Sequence, residues 1–124
     1  MEIRFISDEH RNFYEKILAR CRIQDSYHKA LIYLLGLTAD TQNHISLLFD
    51  FDEDQIIEDG LNQGWQTGSS TKICRLAFNL WNGYTDQTTM GYTPEDLFCC
   101  EFAEYFFEAI KLRFPEYFRG TPTL

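Results

Sequence analysis

Apolar residues recur at helical spacing along most of this chain. After Ser7, the residues Phe13, Tyr14, Ile17, Leu18 and Cys21 fall on one face of a 3.6-residue period. Ser7 is a good N-cap, and Asp8 and Glu9 in the first turn suit the helix dipole. A second helix is predicted to start near Asp25 or Ser26. Tyr27, Ala30, Leu31, Leu34 and Leu35 line its apolar stripe, and Gly36 is a natural stop. A shorter third helix is expected over residues 40–49, burying Ile45, Leu48 and Phe49. Residues 50–70 read as loop with one helical turn.

The fourth helix is predicted from near Ser70. Ile73, Leu76, Ala77, Leu80 and Trp81 form its apolar face, and Gly83 ends it. Its opposite stripe is Lys72, Arg75, Asn79 and Asn82, which should face water or a partner. Residues 84–92 form a polar loop. Thr93, Pro94, Glu95 and Asp96 then make a strong start signal: a capping Thr, Pro at the first position, and acids after it. The last helical region carries Phe98, Phe102, Tyr105, Phe106, Ala109 and Ile110 on one face, with a break expected near Cys99 and Cys100 and a stop at Pro115. Strand-like alternation is nearly absent; only residues 3–6 suit a short extended piece. The expected fold is all-α, a single-domain bundle of about five helices.

Length and composition fit that picture. The 124 residues suit one domain, and 44% hydrophobic with 16% aromatic residues is enough to close a core. The first ten residues lack a basic start followed by an apolar run, and the longest apolar stretch, residues 31–37, is far below the roughly 20 residues needed to span a bilayer. A cytoplasmic location without membrane contact is therefore expected. Cys21, Cys74, Cys99 and Cys100 are even in number but fall within helical patterns, so reduced thiols are expected.

Charge changes the picture more. The net charge is −8. Residues 30–71 hold no Lys or Arg and seven acids: Asp40, Asp50, Asp52, Glu53, Asp54, Glu58 and Asp59. Residues 76–110 again hold no Lys or Arg and six acids: Asp86, Glu95, Asp96, Glu101, Glu104 and Glu108. Direct nucleic-acid binding is disfavoured, because affinity there rests on cations that neutralise phosphates. An acidic surface suits a basic protein partner, of which a nucleic-acid-binding nuclease is one class. Solubility alone is the simpler account of the same acidity.

Chemical motifs are few. Asp50, Asp52 and Asp54 match positions 1, 3 and 5 of a calcium loop, but Gln55 stands where Gly is needed and Leu61 where a bidentate Glu belongs. His10, His28, His44 and the cysteines show no CxxC or HxxxH spacing, so a zinc site would have to be assembled from distant helices. No cofactor is expected. A Cys–His nucleophile pair has no local support, and Gly68 to Lys72 lacks the phosphate-loop spacing. Enzymatic activity is not expected.

The stretch from Gly64 to Gly83, GWQTGSSTKICRLAFNLWNG, resembles a family of uncharacterised small proteins from Gram-positive bacteria, their phages and plasmids, which carry a GWQT…RLAFNLYNG-like block. The blocks His28–Leu35 and Phe5–His10, and the later His44, look similar as well; Trp81 stands where Tyr is expected. The resemblance implies no assigned activity. It implies a setting of mobile elements and host–element conflict, in which small acidic proteins include inhibitors of defence nucleases, anti-CRISPR proteins among them. Within the block, Trp65 and Trp81 are expected as core rings. Arg75, Asn79 and Asn82 are candidates either for partner contact or for tying down a neighbouring loop, with the structural role favoured.

The leading expectation is a non-enzymatic binding protein whose segments 50–59 (Asp50, Asp52, Glu53, Asp54, Glu58, Asp59) and 95–108 (Glu101, Glu104, Glu108) contact a basic, nucleic-acid-binding defence protein. One alternative is a homodimeric module using Phe107, Tyr117 and Phe118. The other is a metal-dependent or thiol enzyme built on Cys and His.

Overall fold

The computed structural model describes residues 2–86 and 91–118. Six α-helices occur among them: α1 (Asp8–Leu18), α2 (Ser26–Leu35), α3 (Ala39–Asn43), α4 (Gly68–Asn82), α5 (Pro94–Phe98) and α6 (Ala103–Arg113). One two-stranded antiparallel sheet joins β1 (Phe49–Asp50) to β2 (Gln55–Ile56), pairing Phe49 with Ile56 and Asp50 with Gln55. The protein is thus helix-rich, with a small hairpin that the all-α expectation omits. Strands of two residues are too short to show alternation in the sequence.

Five of the helices start on a side-chain cap. Ser7, Asp25, Thr38, Thr67 and Thr93 each accept a hydrogen bond from the backbone N–H three residues on. At α4, Thr67 and Ser70 cap each other reciprocally, which sets the start two residues before the predicted Ser70. Gly83 closes α4 in the left-handed region at φ 79°. The expected third helix over residues 40–49 is shorter. It stops at Asn43, passes through a 3-10 turn at Ile45–Leu47, and becomes β1. Leu48 and Phe49 are buried as expected, but Phe49 enters the core from a strand. The last helical region does break, with α5 ending at Phe98 and α6 starting at Ala103. No helix among the described residues is long and apolar enough to cross a membrane.

Helix α2 is the core. It packs against α1, α4 and α6. Ala30, Leu31, Ile32, Tyr33, Leu34 and Leu35 are all fully buried, not only the predicted stripe. A helix surrounded on every side has no face for polar residues, so periodicity understates its burial. Each of the large side chains there contributes about 1.5–3 kcal/mol. Tyr27, placed on the stripe by spacing, lies outside that enclosure and is 42% exposed.

The end of α2 is answered by α1. His10 is fully buried, and its Nε2–H donates to the Tyr33 carbonyl at 2.7 Å, one of the last carbonyls of α2. Its Nδ1 accepts from the Ile6 N–H at 3.1 Å, which fixes the neutral tautomer. Burial lowers the His10 pKa, only partly opposed by the Tyr33 hydrogen bond. The N-terminal segment, expected as an extended piece, has no strand partner among the described residues. It is held instead by side chains: the Tyr33 hydroxyl donates to the Arg4 carbonyl, and the Arg4 N–H donates to Glu108 at 2.9 Å.

Helix α1 comes this close only because residue 36 has no side chain. A Cβ at Gly36 would lie 2.7 Å from Phe13 Cδ1 and 3.0 Å from His10 Cδ2. Gly36→Ala is expected to cost about 1–3 kcal/mol through overpacking. Gly64→Ala, where a Cβ meets nothing within 4 Å, should stay within about 0.5 kcal/mol of the parent. Urea denaturation of the two variants measures the difference, and equal losses would contradict the packing described.

Candidate interaction surface

The hairpin between α3 and α4 carries most of the first acidic segment. Asp50 folds its carboxylate back on the turn, with Oδ1 accepting the N–H groups of Asp52 (3.0 Å) and Glu53 (3.1 Å). Asp54 sits in the left-handed region at φ 57°, which Asp tolerates better than most residues. That conformation accompanies a carboxylate committed inward: Asp54 Oδ1 lies 2.7 Å from His28 Nε2. The other ring nitrogen, Nδ1, lies 2.6 Å from Oδ1 of Asp25, the N-cap of α2.

His28 is therefore a buried ring with a carboxylate at each nitrogen; its side chain is 3% exposed. Trp81 meets its face edge-on at 4.8 Å, and Phe49 at 6.2 Å. Burial by itself would lower the histidine pKa. The hydrogen bonds and charges of Asp54 and Asp25 outweigh that, and the net shift is upward. Asp25 moves down: burial raises it, but the His28 backbone and side-chain hydrogen bonds prevail. Both ring nitrogens thus donate, and His28 is an imidazolium bridging α2 to the hairpin.

Two arginines from the α1–α2 connection clasp the same hairpin. The Arg20 guanidinium stacks on Phe51 at 4.1 Å, and Arg22 donates to the Asp52 carbonyl. The carboxylates of Asp52, Glu53, Glu58 and Asp59 remain on the surface as exposed residues. Asp59 makes only loose contacts, 3.3 Å from the Asn62 amide. The second segment is placed elsewhere. Glu104 pairs with Arg4 at 3.1 Å, Glu108 accepts from the Arg4 N–H and lies 3.9 Å from Lys111, and Glu101 contacts Ser69 at 3.4 Å. The first segment is anchored at His28 and the second at Arg4 and the α4 N-terminus.

Arg75, Asn79 and Asn82 all turn toward the loop after α4. Arg75 lies 3.6 Å from Asp86 and 5.5 Å from the Tyr92 ring. Asn79 donates to the Tyr84 carbonyl at 3.2 Å, and Asn82 accepts from the Tyr84 N–H at 3.0 Å. Residues 87–90 of that loop lie outside the described residues. Trp65 stacks flat on His44 at 4.2 Å, and Trp81 joins the His28 collar; both rings are partly exposed.

Nucleophilic chemistry is unfavourable at the two buried thiols, Cys21 and Cys74. Burial, then the Asp54 charge, pushes the Cys21 thiol up to about 11, and burial pushes Cys74 up to about 12. Such groups stay protonated and are poor nucleophiles. His28, with both nitrogens committed to carboxylates, has none left to act as a base toward them. Among the described residues no group of three or more His, Cys, Asp or Glu side chains is arranged to hold a metal ion.

What fold and site define together is a helix-rich domain that carries an acidic hairpin pinned across a buried histidine. The chain belongs to DUF6075, a family of unknown function whose model matches residues 1–123. No curated protein and no solved structure matches it.

The histidine bridge has a signed pH dependence. A raised folded pKa means that the stability from His28 is complete below about pH 6.5 and is lost as pH rises through the folded value. His10 acts oppositely: its contribution is complete above about pH 6.5 and fades as pH falls through its lowered folded value. Chemical denaturation between pH 6 and 9 should show stability falling on the alkaline side. Asp54→Asn should flatten that fall. His28→Ala should cost about 3 kcal/mol at pH 6, because it strands two carboxylates and opens a gap beside Trp81.

Proposed function

We propose that this protein is a non-enzymatic binding protein that presents its acidic hairpin to a basic protein partner. In the mobile-element setting implied by the resemblance, the partner class is a nucleic-acid-binding host-defence protein such as an RNA-guided nuclease. The protein would inhibit it by occupying a cationic groove meant for phosphates. The observation that carries this reading is the pinned hairpin. Its turn is fixed from within by Asp50, His28, Arg20 and Arg22, while Asp52, Glu53 and Glu58 stay exposed. Carboxylates held on a rigid turn lose little entropy on binding and steer a cationic partner toward it. Asp54, by contrast, serves the hairpin's own attachment and is not part of the proposed contact.

The test is interferometry of the immobilised protein against purified RNA-guided nucleases at stepped salt. Binding should weaken as ionic strength rises, and the combined variant Asp52→Lys, Glu53→Lys, Glu58→Lys should weaken it by about tenfold or more. An association indifferent to both salt and charge reversal overturns the reading.

A second reading is a homodimeric module, favoured by the aromatics left on the surface: Phe107 is 57% exposed, Tyr117 78% and Phe118 39%. Light scattering across a concentration series decides it. A mass that stays at one chain throughout rejects the dimer, and a rising mass that Phe107→Ser reverses supports it.

A further inference from the structure

A cleft of about 420 Å³ opens between α1, α2 and α6, and no residue of the hairpin lines it. Its apolar wall comes from Ile3, Leu112 and Pro115, and its polar groups are Tyr14, Ser26, Lys29 and Lys111, with Glu2 and Glu108 also on the lining. That volume lies in the range of small-molecule sites, and a mostly apolar wall with a few convergent polar groups is their usual composition.

Tyr14 is the informative residue. It is 94% buried, being 6% exposed, and packs its ring against Phe5 and Tyr33. Its hydroxyl makes no hydrogen bond with any described residue and keeps some contact with solvent, so it stands at the cleft with a free donor. The neighbouring Tyr33 hydroxyl, by contrast, is engaged: it donates to the Arg4 carbonyl. Lys29, on the second turn of α2, makes no ion pair among the described residues, and Lys111 makes one only at 3.9 Å. Glu108 already accepts the Arg4 N–H on one oxygen, while its other oxygen lies 3.9 Å from Lys111. Burial holds the Tyr14 pKa up to about 12, so the phenol keeps its proton and can donate.

We infer that this cleft binds a small monocarboxylic acid with an apolar body, its carboxylate taken by Tyr14, Lys29 and Lys111 and its body lying along Ile3, Leu112 and Pro115. These three donor-bearing side chains line one cleft, and the apolar wall beside them suits a tail. The two acids on the lining disfavour a second negative charge, which selects a monoanion over a dianion or a phosphate.

Amide chemical shifts of the labelled protein, titrated with sodium octanoate, sodium acetate and 1-octanol in parallel, test this. Octanoate should give saturable shifts at Ile3, Lys29 and Leu112, with acetate and octanol both much weaker. Tyr14→Phe and Lys29→Met should each weaken octanoate about fivefold or more while thermal melting stays unchanged. The triple charge reversal of the hairpin should bind octanoate as the parent does, which separates this site from the proposed partner surface. Octanol binding as well as octanoate overturns the carboxylate assignment. An absence of saturable shifts in the cleft overturns the site itself.

Discussion

From Ala30 to Leu35 the second helix has no face toward water, so the polar groups at its buried end have to be answered from within the protein. The answers are two histidines in opposite protonation states. His10, neutral, donates to a carbonyl at the C-terminal end of α2, where the helix dipole by itself would favour a cation. His28, charged, stands near the N-terminal end, where the dipole disfavours a cation. Local partners override the dipole in both places. The Ile6 N–H occupies the second nitrogen of His10, and Asp25 and Asp54 occupy both nitrogens of His28. Through these two rings the buried helix fixes the N-terminal segment at one end and the hairpin at the other.

The same contacts rearrange the meaning of the charge map. The balance of cations in the first 29 residues looks unrelated to the long anionic stretch that follows. In the folded chain, Arg20, Arg22 and His28 are applied to that stretch, and Arg4 to the acids of α6. The basic groups are used mainly to bind the hairpin's backbone, an aromatic ring and one inward carboxylate. Most of the hairpin's other carboxylates are left outward. An acidic surface therefore persists although cations lie close to it, and its rigidity is a consequence of how those cations are used. The cleft at Tyr14 depends on the same central helix, since Lys29 reaches it from the turn that follows His28.

Much of this fold was legible beforehand. Caps at Ser7, Asp25 and Thr93, stops at Gly36 and Gly83, and the break near Cys99 are local events written in two to four residues each. Helical spacing of Ile45, Leu48 and Phe49 extends the expected third helix past its end at Asn43, because the chain leaves the helix at His44. The hairpin reads as loop in the sequence because its strands are two residues long. The Arg75, Asn79 and Asn82 stripe is visible as polar in the sequence, and its contacts run to Tyr84, Asp86 and Tyr92 in the following loop. Asp25 was legible as a cap, but its second role at the His28 ring was not, because the other half of that bridge lies 26 residues on.

By itself the sequence determined what is short-ranged: which segments become helices, where they begin and stop, that the chain is anionic, and that familiar metal and phosphate motifs are absent. Periodicity and capping act within a turn or two, so one strand of text carries them. Tertiary structure alone decided which acids face inward and which outward, which histidine is neutral and which charged, and that Tyr14, Lys29 and Lys111 meet at one cleft. Those outcomes depend on burial and on partners from distant segments. A charge is set by its surroundings in space, and no local pattern in the chain states what those will be.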